Sequence, residues 1–435
     1  MSSFIVGSEY ILNSNYKILL KKGILVEKDK IKEIEDYDKL CKKHQNVNHT
    51  YYKNTILVPG YTNFHHHLEY SFYRSLVPQS NYFSWIENLS KLKREISVED
   101  KKNSILYGIM HEIKNGVTNT VDFSTDCSSL EPLISSGLNG KIFWELIGDK
   151  QFEKVRDKFI NILPQGTDNV TLNIGCHTLY SCSLKTVESA LALSVMYNTF
   201  FAIHCSETCE EYKSFINKDC RLLRDIYSKR SDLLQYGSVS PIEFFCRHFG
   251  SLLHNKILLV HCNYLCDKDF DYINYNNLIP VCCPESSLYL SNDISAIINL
   301  LKYKYFSIGI GTDSLASCLS GSIYEQIRLF ELLQRLLNKW GAVSPVLIRK
   351  CLAMATYRVF GIKQVLEIGA KANIVGVAID KIDKGQKEIL NQFLYEKNNV
   401  VLNICNGNLL YSYGEYKTVD VEQIIWNYNK YINRR

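Results

Sequence analysis

The chain predicts an α/β fold: a (β/α)8 barrel with a small β-sandwich built from both chain ends. Three observations carry that expectation. Eight apolar runs of strand length recur between positions 55 and 314, most intervals between them show helix-face spacing, and two β-rich flanks bracket them. At 435 residues, 46% apolar and 22% charged, the chain has the length of a large enzyme fold plus an accessory module and is far too apolar for disorder.

The N-terminal flank, residues 1–54, holds short strand-like pieces, SFIVGSEYIL and YKILLKKGILVEKDKIKEI, punctuated by Gly and charged turns. The eight runs follow: TILVPG (55–60), NGVTNTVDF (115–123), KIFWELIG (141–148), NVTLNIGCHT (169–178), TFFAIHCSE (199–207), KILLVHCNY (256–264), LIPVCCP (278–284) and FSIGIGTDS (306–314). Trp85, Leu89, Leu92 and Ile96 repeat at helix-face spacing, as do Leu106, Ile109, Met110 and Ile113, and Ile297, Leu300 and Leu301. Fully apolar strands separated by helices call for a parallel sheet covered on both faces, and a barrel over 55–360 is the simplest closure of eight. The second flank, 361–416, contains EIGAKANIVGVAI and NNVVLNICNGNLLYS. Neither flank buries a core alone, so the two are expected to pair. The tail, 417–435, reads as a closing helix.

A net charge of +5 without basic blocks gives no support for nucleic-acid binding. No stretch approaches the roughly 18–20 apolar residues of a membrane span, and MSSFIVGSEYILN lacks the features of a signal peptide, so the expected location is cytoplasmic. The fifteen cysteines contain no C-x-x-C pair and are expected as buried free thiols.

Active sites of such barrels lie at the C-terminal strand ends. Those positions hold His65, His66 and His67 on strand one, His177 on four, His204 and Glu207 on five, His261 on six and Asp313 on eight. His65 and His67, two apart, leave the same face of an extended strand, whereas His66 points away. With His204 and Asp313 they make a three-nitrogen, one-oxygen set suited to one divalent metal ion, zinc first and iron second. Each residue alone has an ordinary explanation: a solvated HHH turn, a salt-bridging Glu207, a capping Asp313. Their joint arrival at one barrel mouth does not. His44, His49, His111, His248 and His254 fall in loops and helices away from that mouth. His67-Leu68-Glu69 mimics the H-x-E half of the cytidine-type deaminase signature, but no P-C-x-x-C follows, which excludes that site.

The segments PGYTNFHHHLEYS (59–71), HCSE (204–207), VHC (260–262), GTDSLAS (311–317) and VLEIGAKANIVGVAID (365–380) resemble the amidohydrolase superfamily over nearly the whole chain. Within it the likeness is to the deaminase and chlorohydrolase branch: adenosylhomocysteine, guanine and especially aminofutalosine deaminases, the last from the alternative route of menaquinone biosynthesis.

That resemblance implies that His65, His67, His204 and Asp313 ligate the metal, that His177 contacts substrate, and that His261 hydrogen-bonds the attacking water. One metal is implied, since the strand-four end offers His177 and no bridging lysine. A bound dication brings the pKa of its water toward neutrality; Asp313 can take the proton, and Glu207 can protonate a ring nitrogen and help ammonia leave. Glu69 and Trp85, near the first strand, are candidate substrate contacts, with a helix anchor in the core as the other reading of Trp85. The implied partner is a small heterocycle with an adenine-type ring, such as 6-amino-6-deoxyfutalosine or a related adenine nucleoside; a homodimer is left open. Loss of another group, chloride or an alkylamine, is the alternative chemistry, and a metal-binding relative without activity is the alternative of another class. The chain departs from the family at Cys176-His177-Thr178, which lacks a flanking proline, at Cys283-Pro284-Glu285-Ser286-Ser287, and at Gly369-Ala370-Lys371-Ala372-Asn373. The first two departures bear on the substrate pocket.

Overall fold

Two eight-stranded sheets organise the computed structural model, which describes residues 3–435 apart from 79, 149–151, 218–237, 291–293, 295, 297, 299–306, 340–342, 381–384 and 397–398. The terminal sheet begins with β1 (Phe4–Leu12), β2 (Ile18–Glu27), β3 (Lys30–Asp36) and β4 (Asn48–Pro59). The barrel follows with β5 (Tyr61–His66), β6 (Val117–Ser124), β7 (Asn139–Leu146) and β8 (Val170–Thr178). Its second half is β9 (Phe201–Cys205), β10 (Ile257–His261), β11 (Ile279–Cys282) and β12 (Gly309–Ile310). The chain then returns to the terminal sheet with β13 (Ile374–Ala378), β14 (Asn399–Cys405), β15 (Asn408–Ser412) and β16 (Glu415–Tyr416).

The two flanks pair, and their hydrogen bonding is continuous in the order β16-β15-β14-β13-β4-β1-β2-β3. The seam is β4, parallel to β1 through Ile11↔Leu57 and antiparallel to β13 through Gly376↔Leu57. Val6, Ile24, Leu57, Ile374 and Leu402 bury one face of this sheet as a core of its own.

The TILVPG run therefore does not open the barrel. Residues 55–59 complete β4, and the first barrel strand starts at Tyr61. Gly60 makes the crossing: its N–H bonds Asn373 O at 3.0 Å on the terminal side, while the N–H of Tyr61 bonds Gly116 O at 3.0 Å on the barrel side. Apolar periodicity records that a run is buried but not in which sheet.

Every neighbouring pair in the barrel sheet is parallel, in chain order from β5 to β12. The last gap is bridged by the N–H groups of Thr312 and Asp313, which both donate to His65 O, at 3.1 and 3.0 Å. Gly311 is obligatory here, because a Cβ would lie 2.7 Å from His65 Cβ and 2.8 Å from its backbone.

The helix-face residues behave as expected where they are described: Trp85 and Leu89 are buried in the Tyr82–Glu95 helix, and Ile109, Met110 and Ile113 in the Val98–Lys114 helix. The Ile297, Leu300 and Leu301 spacing lies outside the described residues. The tail forms the Val421–Ile432 helix, capped by Asp420, which stacks Tyr428 on Tyr107 at 4.5 Å between ring centroids. No described helix is long and apolar enough to cross a membrane.

Candidate metal centre

Four side chains meet at the C-terminal mouth of the barrel. His65 ends β5 with His67 just beyond it, His204 lies in β9, and Asp313 follows β12. His65 Nε2 is 3.3 Å from His204 Nε2 and 3.5 Å from Asp313 Oδ1, and His67 Nε2 is 3.7 Å from the same carboxylate oxygen. Donors about 2.1 Å from a central cation would stand about 3.4 Å apart, close to these three separations; His65, His67 and His204 cluster within 4.8 Å, as do His65, His261 and Asp313. All four residues are buried, and His65 Nδ1 has no hydrogen-bond partner among the described residues.

The surroundings fix each donor. His67 Nδ1 donates to Phe123 O at 3.2 Å and His204 Nδ1 to His177 O at 2.9 Å, tautomers that leave both Nε2 lone pairs for a metal. Burial keeps His67 and His204 well below the usual imidazole range and so neutral, as a ligand must be. Asp313 Oδ1 accepts from Ser314 N at 2.7 Å, and Oδ2 from Ser286 Oγ at 2.6 Å and Ser317 Oγ at 3.0 Å. Burial alone would raise this carboxyl; His65, then His67 and His261, hold it well below the usual range. Its main chain sits at φ +59°, and His261 at +75°, left-handed values that non-glycine residues adopt at a cost of about 1–3 kcal/mol. His66 does face away from the metal centre: its Nδ1 donates to Asp313 O at 2.5 Å, and burial lowers it to about 4.

Glu207 and His261 adjoin this cluster. Glu207 Oε1 lies 3.6 Å from His261 Nε2, and Glu207 Oε2 accepts from the Tyr82 hydroxyl at 2.9 Å. Burial, then the charge of Asp313, pushes the Glu207 carboxyl well above its usual range, which favours the protonated acid. The Glu211 carboxylate holds the turn beneath it, accepting from Ser206 N at 3.0 Å and Glu207 N at 2.8 Å.

The cavity over these groups measures only about 60 Å³ and is lined by His177, Trp85, Tyr70, Lys93 and Glu145 among others. Small-molecule sites usually begin near ~300 Å³, so admitting a purine requires a wall to move. His177 is held by Ser181 Oγ at 2.9 Å, and Trp85 presents an indole N–H without a partner among the described residues.

Glu69 is not brought to this cavity. It is 2% exposed and ion-paired with Lys101 at 2.6 Å, and Thr125 Oγ1 donates to it at 2.9 Å. Neither Lys101 nor Thr125 lines the cavity. Two groups escaped the sequence reading. Glu145, near the end of β7, has its Oε1 3.4 Å from His204 Nδ1 and is raised by burial to about 8. The strand-end rule that selected the histidines would have found it. Tyr82 lies three residues before Trp85, on the same helix face, but no sequence signal tied it to Glu207.

The model of the amidohydrolase family matches residues 56–410. A 5-methylthioadenosine/S-adenosylhomocysteine deaminase of Caldicellulosiruptor saccharolyticus is 26% identical over 98% of this chain and 96% of its own length. An adenosine deaminase from Xanthomonas campestris, solved with bound zinc, superposes with a TM-score of 0.83 at 15% identity, covering 100% of this chain and 98% of that one. The Helicobacter pylori aminofutalosine deaminase in complex with methylthio-coformycin gives 0.77 at 20% identity over 93% and 99%. With a family match over most of its length, and a barrel whose strand ends gather three imidazoles and a carboxylate, the chain belongs to the amidohydrolase family.

Proposed function

We propose that this chain is a metal-dependent aminohydrolase that replaces the ring amino group of an adenine nucleoside by oxygen and releases ammonia. The observation that carries the reading is the placement of the buried Glu207 and of His261 beside the four-donor cluster. A zinc or iron ion held by His65, His67, His204 and Asp313 would lower the pKa of a bound water toward neutrality and so supply a nucleophile.

The protein's own groups do the rest. Asp313 accepts the proton that the water gives up. His261 Nε2 orients the attacking oxygen by hydrogen bonding. Glu207, with Oε2 engaged by Tyr82, delivers its proton from Oε1 to the ring nitrogen beside the amino-bearing carbon, so that carbon becomes tetrahedral without charge building on the ring. The proton held by Asp313 then passes to the amino group, which leaves as ammonia, while the added hydroxyl becomes the ring carbonyl and returns its proton to Glu207. His177 and Trp85 contact the substrate. The barrel, from Tyr61 onward, carries the chemistry, the paired flanks brace it, and the tail (417–435) closes it. A cytoplasmic location belongs to the same reading; the described cysteines are free thiols.

Among adenine nucleosides, 5′-methylthioadenosine and S-adenosylhomocysteine are supported by a relative similar over almost the full chain. 6-Amino-6-deoxyfutalosine, and with it a role in menaquinone biosynthesis, rests on the motif likeness alone. Metal analysis of the purified protein with an ammonia-release screen over these three, adenosine, guanine and a chloro- and an alkylamino-triazine tests the reading. Ammonia from an adenine nucleoside with about one metal per chain is expected; release of chloride or alkylamine only, or of nothing by the metal-loaded protein, overturns it.

A further inference from the structure

A second and much larger cavity, about 490 Å³, lies where the terminal sheet meets the outside of the barrel. Its walls come from the end of β1 (Leu12), the end of β4 (Val58, Pro59), β5 (Phe64) and the Pro345–Phe360 helix (Leu352). The cavity opens to solvent, and its volume falls within the usual range of small-molecule sites, about 300–1,000 Å³.

One feature of the lining is polar and incompletely paired. Arg349 is 8% exposed; its Nη1 is engaged by the Glu331 carboxylate and lies 3.4 Å from Pro345 O, but the buried Nη2 has no hydrogen-bond partner among the described residues. A buried donor left unpaired costs about 1–3 kcal/mol, more on a charged group. Its guanidinium also lies 5.5 Å from the Phe393 ring, which holds it at the cavity. Lys350 and Lys363 line the same space, so three cations outnumber Glu331 and the lining Glu367. Tyr16, also in the lining, keeps its phenolic proton because burial pushes it up to about 12 despite the Arg349 charge.

We propose that this cavity binds a small amphiphilic carboxylate, with the carboxylate on Arg349 Nη2 and the apolar chain along Leu12, Val58 and Leu352. The head group satisfies the unpaired donor through a charge-assisted hydrogen bond, and the chain removes the apolar walls from water. No ligand of this kind is needed by the chemistry at Glu207.

Decanoate and its neutral counterpart decanol serve as probes in calorimetric titration of the unaltered full-length protein. One decanoate per chain is expected, bound at least tenfold tighter than decanol. Ala353→Trp, which fills the cavity from the Pro345–Phe360 helix, should abolish both titrations while ammonia release is unchanged. Absence of saturable decanoate binding overturns the proposal, as does decanol binding equally well, or decanoate binding that survives in a folded Ala353→Trp protein. Should that variant fail to fold, the comparison of decanoate with decanol decides the matter on the unaltered chain.

Discussion

The Tyr82 hydroxyl donates to Glu207 Oε2 across 2.9 Å and lies 3.2 Å from the Tyr180 hydroxyl, so a helix outside the barrel reaches in to hold the proposed acid. Tyr82 opens the Tyr82–Glu95 helix, where Asn81 caps the first turn by accepting from Ser84 N at 3.1 Å. The position of the carboxyl is thus set from both sides: by Glu211 beneath the strand end and by Tyr82 above it.

Removing the Tyr82 contact while keeping the ring tests its importance. Tyr82→Phe should lower kcat by roughly two- to tenfold, the loss of a hydrogen bond to a neutral group costing about 0.5–1.5 kcal/mol. Metal content and thermal stability should stay near those of the parent. Unchanged kcat would show that Glu207 is positioned without it.

Glu207→Gln keeps size and shape but removes the transferable proton. Turnover should fall by a factor on the order of 10²–10⁴, the usual contribution of general acid–base catalysis. Metal content, measured by plasma emission on the same sample, should be unchanged, because Glu207 is not among the four clustered donors. Full activity in this variant would remove Glu207 from the mechanism.

Gly311→Ala places a Cβ against His65, with atoms 2.7–2.8 Å away that belong to the backbone and to Cβ and cannot rotate aside. Overpacking of this kind costs about 1–3 kcal/mol, and here it displaces His65, a proposed metal donor, and the closing strand together. Both a lower melting temperature and a loss of bound metal are expected; a variant that melts lower yet keeps its metal would separate barrel closure from the centre.

Glu112 gives a pH signature in stability. It is 2% exposed, accepts from Asn63 Nδ2 at 2.8 Å, and burial raises its carboxyl to about 7 from an ordinary 4.5. The folded state therefore binds this proton more tightly than the unfolded state, and the group's contribution to stability falls as pH rises from about 4.5 to about 7, then levels off. Glu112→Gln keeps an acceptor for Asn63 and cannot ionise. It should melt at a higher temperature than the parent at pH 8 and differ least near pH 4, as read by calorimetry at the two pH values.

Much of this architecture is written in local patterns. Burial on both faces leaves apolar runs, helices leave their face spacing, and a catalytic barrel concentrates donors where strands end. His65, His67, His204, His261 and Asp313 could be found that way because each needs only its own strand to reach the mouth. The partners of Glu69 could not be read that way, because they depend on a short 3-10 turn, Leu68–Tyr73, and on the distant Lys101.

By itself the chain's order of residues determined which side chains occupy the barrel mouth and that the two ends must find one another, since strand periodicity and the need to bury apolar faces act locally. Tertiary structure alone decided that residues 55–59 serve the terminal sheet, that Tyr82 caps Glu207, and that Arg349 lines a cavity with one nitrogen unpaired among the described residues. Those three facts join segments from 125 to more than 300 residues apart, as between Tyr82 and Glu207, β4 and β13, and β1 and Arg349. Contacts across such separations depend on how packed layers come to rest against each other, which no window of neighbouring residues encodes.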